Sequence, residues 1–410
     1  MTTTSRIIAA ICALLFLPLA AEAAPADGAP RAQNTATATD YERGASSYNQ
    51  GDYDKAIEYF SKVLEINPKH VQAYFGRASA YGNKGDHDKA INDYSKVTGI
   101  DPDAADAYKY RGQTYARKGE YDKALSDYSK AVALNPRDAE TYYGRGSAYT
   151  HKGLHAKAIR DYSKAIELSP RYFDALMDRG TSLTDNGEHD KAIKDYSEGI
   201  AIRPEDDGAY FGRGIAYSRK GDLSKALADY SRAIALNPKL AMAYNNRGSC
   251  YADMGKYGDA LKDFSKAIEL EPQDASRYFN RGTTYAKDLK EYDKAINDFS
   301  RAIALNPGFV PSYYSRGLTR LNKGDPEEGI KDLNKAIELE PQKADAYYSR
   351  AQAYNDKGEY AKAIADYSKT IELSPKYTMA YRGRAIAYRR TGESAKAAAD
   401  EKTWLKLRGK

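Results

Sequence analysis

The chain has few of the side chains that enzymes and metalloproteins use for chemistry. Its 410 residues include two cysteines and five histidines, and the motifs HExxH, GxSxG and CxxC are missing. Zinc-dependent proteolysis, α/β-hydrolase chemistry and dithiol redox chemistry therefore have no candidate centre. His151 and His155 are four residues apart, but Gly153 between them predicts a turn rather than a metal-binding helix. We predict no enzymatic activity, no catalytic residue, no metal site and no cofactor.

The chain also lacks net charge over most of its length. The formal net charge is +6, and residues 381–410 alone carry nine Lys or Arg and three Asp or Glu, so the preceding residues sum to zero. A nucleic-acid-binding surface needs a basic stripe, so the neutral body argues against nucleic acid as a partner. At the basic end, Arg382, Arg389 and Arg390 are candidates for binding an acidic protein, an anionic polysaccharide or phosphate headgroups. The alternative is a soluble end cap.

Only one long hydrophobic run is present, Ile7–Leu19. A basic residue precedes it and small residues follow it up to Ala23, which is the pattern of a secretory signal peptide over residues 1–23. Residues 24–36 are rich in Ala and Pro and predict a mobile leader. We therefore expect a periplasmic or secreted protein with no transmembrane segment after signal removal. Cys250 then remains as an unpaired, small core residue.

Proline is sparse but regularly spaced. Ten of the 15 prolines are separated by 34 residues, except for one interval of 35. They are Pro68, Pro102, Pro136, Pro170, Pro204, Pro238, Pro272, Pro307, Pro341 and Pro375. A fixed spacing of this length indicates one supersecondary unit repeated end to end.

Each unit has the pattern of two antiparallel helices. In residues 104–136, Tyr108, Gly112 and Tyr115 share one helical stripe, and Gly119 suits the residue that ends a helix. A second periodic run follows and stops at the proline, which has no backbone N–H to continue a helix. Glycine within a helix is unfavourable, so its recurrence at the Gly112 position indicates close approach of the paired helices.

The order of an aromatic residue, Gly, Tyr, then Ala, an aromatic residue, Ala and Pro resembles the tetratricopeptide repeat. The resemblance covers residues 37–410 as about eleven copies. It implies an all-α, right-handed superhelical solenoid of helix-turn-helix units, whose last unit is a C-terminal cap. It also implies a concave groove, lined by the first helices, where proteins or peptides bind.

One departure from the family pattern occurs in every copy. Arginine stands before the repeat glycine, where the family usually has leucine. Ten copies also carry an aspartate at a fixed place in the second helix, such as Asp127 after Arg111 and Asp161 after Arg145. An arginine near a helix seam needs a carboxylate partner, so we predict structural Arg–Asp bridges. Whether a bridge lies within one repeat or between two stays open, and an anion-binding ladder is the alternative.

Aromatic residues recur at the position that directly follows Tyr108 and its equivalents in other copies. This position lies on the side of the first helix that is predicted to line the groove. The candidates for partner binding are Tyr143, Phe211, Phe279, Tyr314 and Tyr348. Rings beside small polar residues suit an extended peptide or a sugar chain, because rings bury area at little entropic cost. The alternative is that these rings only pack against neighbouring helices.

The copy at residues 308–341 differs from the others. Leu318 and Leu321 replace small groove residues and, with Tyr314, predict an apolar hot spot in the groove. The preceding copy holds the one extra residue at Lys287–Lys290, where the turn glycine is missing. This insertion predicts a local bend.

Together these patterns predict a non-enzymatic scaffold or adaptor of the bacterial envelope that binds protein or peptide partners through the groove. The alternative is a glycan-binding module for peptidoglycan or acidic polysaccharide. In that case the groove tyrosines and the C-terminal arginines would hold the sugar chain.

Overall fold

The computed structural model describes residues 31–409, and within that range every regular element is a helix. The chain divides into two compact units, with the boundary between Pro204 and Glu205. The signal peptide predicted for residues 1–23 lies outside the described residues, as does the larger part of the leader predicted for residues 24–36.

Unit 1 contains ten described helices, which form five consecutive pairs called repeats 1 to 5. They are α1 (Arg31–Asn49), α2 (Tyr53–Ile66), α3 (Val71–Lys84), α4 (His87–Ile100), α5 (Ala105–Arg117), α6 (Tyr121–Leu134), α7 (Ala139–His151), α8 (His155–Leu168), α9 (Phe173–Asp185) and α10 (His189–Ile202). The two helices of each pair pack on each other, and each second helix also packs on the next first helix within the unit.

Unit 2 contains twelve described α-helices, which form repeats 6 to 11. They are α11 (Asp207–Lys220), α12 (Leu223–Leu236), α13 (Ala241–Asp253), α14 (Tyr257–Leu270), α15 (Ala275–Thr283), α16 (Tyr292–Leu305), α17 (Val310–Lys323), α18 (Pro326–Leu339), α19 (Ala344–Asp356), α20 (Tyr360–Leu373), α21 (Thr378–Arg390) and α22 (Ser394–Arg408). The predicted all-α fold of consecutive helical hairpins is confirmed, with five hairpins described in unit 1 and six in unit 2.

In nine of the eleven hairpins, the seam joins a small residue on the first helix to an aromatic ring on the second, and Leu333 and Glu401 replace the ring in repeats 9 and 11. Ala124 and Tyr128 of α6 are buried opposite Gly112 of α5. A Cβ atom on Gly112 would lie 3.2 Å from the Tyr128 ring, and one on Gly214 would lie 2.7 Å from the Tyr230 ring. Glycine persists here, despite costing roughly 1 kcal/mol in a helix, because the ring occupies the space of its side chain.

The first helix begins earlier than the sequence predicts. α1 starts at Arg31, so residues 31–36 extend this helix instead of belonging to the leader. Once the turns that pack on α2 have formed, each residue added at the N-terminal end gains a backbone hydrogen bond without a new nucleation cost.

Repeat 8 accommodates its extra residue within its first helix. α15 continues into a π-helix over Thr284–Asp288, where one wider turn absorbs the inserted residue. The turn that follows holds Lys290 at a φ of 56°, whereas the other ten repeats have a glycine at the corresponding place with a φ between 70° and 94°. The irregularity at Lys287–Lys290 is therefore a widened helical turn, followed by a lysine whose backbone angles lie in the left-handed region. The bend itself stays a prediction.

Substituting Lys290→Gly should stabilise the protein. A residue with a Cβ atom is disfavoured in the left-handed region, so the free energy of unfolding should rise by about 1 kcal/mol. Urea unfolding followed by circular dichroism measures the change. The matched control is Gly255→Lys, which places a lysine at the same turn position of repeat 7 and should lower stability by a similar amount. A destabilised Lys290→Gly variant would show that the lysine side chain contributes more than its backbone strain costs.

Candidate functional site

Ten arginines at the position before the repeat glycine make the same bidentate ion pair. In repeat 3, Arg111 Nε donates to Asp127 Oδ2 at 2.7 Å and Nη2 donates to Oδ1 at 2.7 Å. The ten pairs are Arg77–Asp93, Arg111–Asp127, Arg145–Asp161, Arg179–Asp195, Arg213–Asp229, Arg247–Asp263, Arg281–Asp298, Arg316–Asp332, Arg350–Asp366 and Arg384–Asp400. Each pair joins the first and second helix of one repeat, which decides the question that the sequence left open.

The same arginines also reach the preceding repeat. Arg111 Nη1 donates to Ser95 Oγ on α4 at 3.0 Å, while the Ser95 hydroxyl donates to the Ile91 carbonyl. The same contact is made by Arg77, Arg111, Arg145 and Arg179 in unit 1, and by Arg247, Arg281, Arg316, Arg350 and Arg384 in unit 2. Asn334 replaces the serine opposite Arg350. We call this arrangement the arginine staple.

The arginine staple leaves few N–H groups of the guanidinium free to bind a ligand. Arg111 also lies over the Tyr108 ring, 5.4 Å from its centroid. Its Nε, Nη1 and Nη2 atoms are thus bonded to protein groups, and Asp127 is buried. The predicted Arg–Asp bridges, including Arg145–Asp161, are present. They disfavour the anion-binding ladder, because Nε, Nη1 and Nη2 already donate to protein oxygens.

Repeat 1 is the exception and supplies a matched control. Tyr59 stands where the other repeats have the aspartate, and Arg43 is exposed, with Asp40 3.6 Å away. Arg111→Gln should leave Asp127 buried without its cation and lower the free energy of unfolding by about 3 kcal/mol. Arg43→Gln removes only an exposed pair and should change it by less than about 1 kcal/mol. Chemical unfolding of both variants measures the difference, and equal effects would contradict a structural role for the staple.

The five candidate groove rings lie on the first helices, and four of them pack on a ring of their own second helix. Ring centroids are 5.8 to 5.9 Å apart in the pairs that these four candidates form. These pairs are Tyr143–Tyr162, Phe211–Tyr230, Phe279–Phe299 and Tyr348–Tyr367. The four first-helix rings are half-buried, so each has one packed side and one accessible side.

Three of these rings also touch the residue just before the next first helix. Tyr143 lies 5.0 Å from Tyr172, Phe279 lies 5.4 Å from Phe309, and Tyr348 lies 4.9 Å from Tyr377. Packing against neighbouring helices, which the sequence left as an alternative, is therefore part of their role. We call the half-exposed surface that the first helices of one unit share the first-helix face.

Asp178 on α9 is a residue of this face that the sequence analysis missed. The Tyr143 hydroxyl donates to Asp178 Oδ2 at 2.9 Å, which links the first helices of repeats 4 and 5. Burial raises the pKa of the Asp178 carboxyl, although the hydrogen bond from Tyr143 opposes that shift. The sequence does contain a signal for this residue. The position before the staple arginine is glycine in repeats 2, 4, 6 and 11, but in repeat 5 it is a carboxylate.

Lys109 occupies the ring position of repeat 3 and is almost completely buried. Its ammonium lies 3.2 Å from carboxylate oxygens of Asp106 and Asp138 and 3.3 Å from Glu140. Burial alone would lower the pKa of Lys109, but Tyr110 and these three carboxylates raise it overall. An ion-pair cage thus takes the place of the ring contacts that join successive repeats elsewhere.

The apolar hot spot predicted for repeat 9 forms only in part. Tyr314 and Leu318 are half-buried on α17, and the Tyr314 hydroxyl is 3.3 Å from Ser349 Oγ in repeat 10. Leu321 instead lies over Gly329 of α18, where a Cβ atom would be only 2.8 Å from Leu321 Cδ2. The prediction that Leu321 belongs to the groove patch is wrong, because Gly329 replaces the usual alanine and opens space in the seam.

Leu321 and Gly329 should therefore show energetic coupling. Leu321→Ala should lower the free energy of unfolding by about 2 kcal/mol through lost packing, and Gly329→Ala should lower it by about 1 kcal/mol or more through overpacking. The double variant restores the Ala–Ala pair of other repeats and should be more stable than the two changes predict additively, by at least about 1 kcal/mol. Additive changes in a double-mutant cycle would disprove the contact.

The three C-terminal arginines do not form one cluster of free charges. Arg389 pairs with Glu401 of α22, and Arg382 lies over the Trp404 ring, 5.4 Å from its centroid. Arg390 is exposed. The spacing of the arginines places them on one helix, but α22 supplies partners that the helical pattern of α21 alone did not reveal.

Other candidate groups do not assemble a reaction centre in the part of the chain that the structure describes. His151 stacks on Tyr121 at 4.8 Å and ends α7, while His155 begins α8. Cys250 is buried beside Tyr230, and burial raises the pKa of its thiol. Within residues 31–409, no three His, Cys, Asp or Glu side chains converge on a metal position. No helix in that range has the length and apolar character required to cross a membrane.

Models of a known repeat family match the chain along most of its length. Models described as "Tetratricopeptide repeat" match residues 41–70, 59–92, 139–172, 241–274, 275–309 and 314–378. A model described as "TPR repeat" matches residues 83–119, 112–153, 180–221 and 216–255. The matched segments together cover more than half of the chain.

Individual relatives match shorter parts. An uncharacterized protein of Methanocaldococcus jannaschii is 45% identical over 40 residues, which are 10% of this chain and 46% of that protein, so the match spans under half of the relative. The MamA protein structure is 34% identical, covering 42% of this chain and 94% of its own, with a TM-score of 0.40. The structure of YrrB, titled a TPR protein with an unusual peptide-binding site, is 26% identical, covering 44% and 92%, with a TM-score of 0.40.

Proposed function

The chain belongs to the tetratricopeptide repeat family, and from that premise we propose that it is a non-enzymatic scaffold that binds protein or peptide partners through its first-helix faces. The family supports a role in protein interaction in general. The partner-binding residues, the envelope location and the absence of catalysis are our proposal for this chain.

One observation carries the proposal: within each unit, side chains on the first helices of neighbouring repeats contact each other. Tyr143 bonds to Asp178, Asn280 donates to Asn245 at 2.9 Å, and Tyr314 contacts Ser349, so side chains of successive first helices touch. In unit 2, half-buried rings such as Phe211 and Phe279 share this surface with polar side chains such as Asn245. Such a surface offers both area to bury and hydrogen bonds to an extended partner.

The second helices present a different surface. They carry exposed Lys–Glu pairs three residues apart, such as Lys164–Glu167, Lys266–Glu269 and Lys369–Glu372. Exposed pairs of this kind contribute little energy and keep a surface solvated. The contrast favours the first-helix face as the binding surface.

We place the scaffold in the bacterial envelope or outside the cell, on the basis of the signal-peptide pattern in residues 1–23. A single unpaired cysteine in the remaining chain suits an oxidising compartment, because no wrong internal disulfide can form. Packing and the arginine staples would then provide the stability that disulfides give to many exported proteins.

A site-specific photocrosslinker tests the scaffold. Benzoylphenylalanine placed at Leu318 on the first-helix face should give one discrete, protease-sensitive adduct in cells that produce the chain naturally. The matched control places the same group at Lys331, which is exposed on the second helix of the same repeat, and should give none. The adduct should fractionate with the envelope or the medium, and its mature chain should begin near Ala24.

Two results would contradict the proposal. Equal adducts from Leu318 and Lys331 would mean that the first-helix face is not selective. An adduct that resists proteases but is removed by a peptidoglycan hydrolase would support the glycan-binding alternative instead.

A further inference from the structure

The first helix of the last repeat, α21, exposes two large apolar side chains. Met379 is 45% exposed and Ile386 is 40% exposed. They are seven residues apart, so they lie on the same side of the helix about two turns, or about 10 Å, from each other. Arg382 and Arg390 follow them at spacings of three and four residues and share that side. We call these four residues the terminal patch.

This combination is particular to repeat 11. At the two corresponding places, repeat 10 has Asp345 and Gln352, and repeat 7 has Met242 and Ser249. Met242 is 52% exposed, but its partner position is polar. Among the repeats that the structure describes, only repeat 11 has large, apolar and exposed side chains at both of these positions of its first helix.

The arginines of the patch keep their positive charge available. Arg382 and Arg408 lie on the Trp404 ring, 5.4 and 5.6 Å from its centroid, so an aromatic ring holds Arg382 without neutralising it. Among residues 31–409, no carboxylate forms an ion pair with Arg382 or Arg390. Arg389, by contrast, is paired with Glu401.

The charge around the patch favours an anionic partner. Residues 381–410 hold the whole net charge of +6, so the field at this end attracts anions while the rest of the chain is balanced. The positive charge of the patch by itself would attract a polysaccharide, a phosphate headgroup or a carboxylate equally well. Met379 and Ile386 narrow the choice, because exposed apolar side chains gain stability only against apolar surface.

We propose that the terminal patch binds an acidic amphipathic helix of a partner protein. Leu or Ile side chains of that helix, spaced by about two turns, would cover Met379 and Ile386, and flanking Asp or Glu side chains would pair with Arg382 and Arg390. This inference rests on the proposed scaffold function and specifies the chemistry of one partner segment.

Fluorescence anisotropy with designed peptides tests the patch on the mature chain. The first probe is an 18-residue helical peptide with Leu on one face and Glu on the other. The second has Lys in place of each Glu, and the third has the composition of the first in scrambled order. We expect saturable binding of the first probe and about tenfold weaker binding of the other two.

Matched variants locate the site. Met379→Asp/Ile386→Asp should weaken binding of the first probe by about tenfold, whereas Met242→Asp at the equivalent place of repeat 7 should not. Arg390→Glu should weaken binding and reduce its salt dependence, whereas Arg117→Glu at the equivalent place of repeat 3 should not. All five substituted positions are exposed, and circular dichroism checks that each of the four variants folds.

Three outcomes would overturn the inference. No saturable binding of the first probe, or binding that Met379→Asp/Ile386→Asp leaves unchanged, would mean that the patch does not hold an amphipathic helix. If the scrambled peptide and the anionic polysaccharide polygalacturonate both bind as tightly as the first probe, charge alone determines binding to the patch. The crosslink from Leu318 is independent of the patch, so its persistence would confine the failure to this inference.

Discussion

The arginine staple is the interaction on which the rest of the structure depends. One guanidinium joins three helices: it lies on the first helix, pairs with an aspartate of the second helix, and bonds to a serine of the preceding repeat. Because the aspartate is buried, each staple must form completely or leave a charge without compensation. Repetition of this arrangement sets the same hairpin geometry and the same stacking in successive repeats of each unit.

Departures from the repeat pattern come in compensating pairs. Leu321 enlarges one side of a seam, and Gly329 removes a methyl group from the other side. In repeat 3, Lys109 replaces a ring but brings carboxylates of two neighbouring helices around its ammonium. In repeat 8, the inserted residue is absorbed by a π-helical turn instead of shifting the register of the staple. Variation is tolerated because each repeat contacts mainly its neighbours.

The sequence was sufficient for the fold because its signals are periodic and local. Proline spacing, the glycine at the seam and the Arg–Asp register each recur often enough to predict the helical hairpin and the bridge. The serine arm of the staple was not predicted, since a common hydroxyl residue carries no signal until its position in space is known. Leu321 and Arg389 were misjudged for a related reason: both positions were read from one helix, but Gly329 and Glu401 on the second helices determine their contacts.

The staple has a direction along the chain. In each staple, the arginine bonds to an aspartate later in its own repeat and to a serine or asparagine side chain of the preceding repeat, so no staple requires residues of a later repeat. During synthesis, a hairpin that leaves the ribosome can therefore complete its staple against the hairpin already formed. The repeats can therefore fold in the order in which they are translated. If translation pauses, the repeats already synthesised have formed all of their staples.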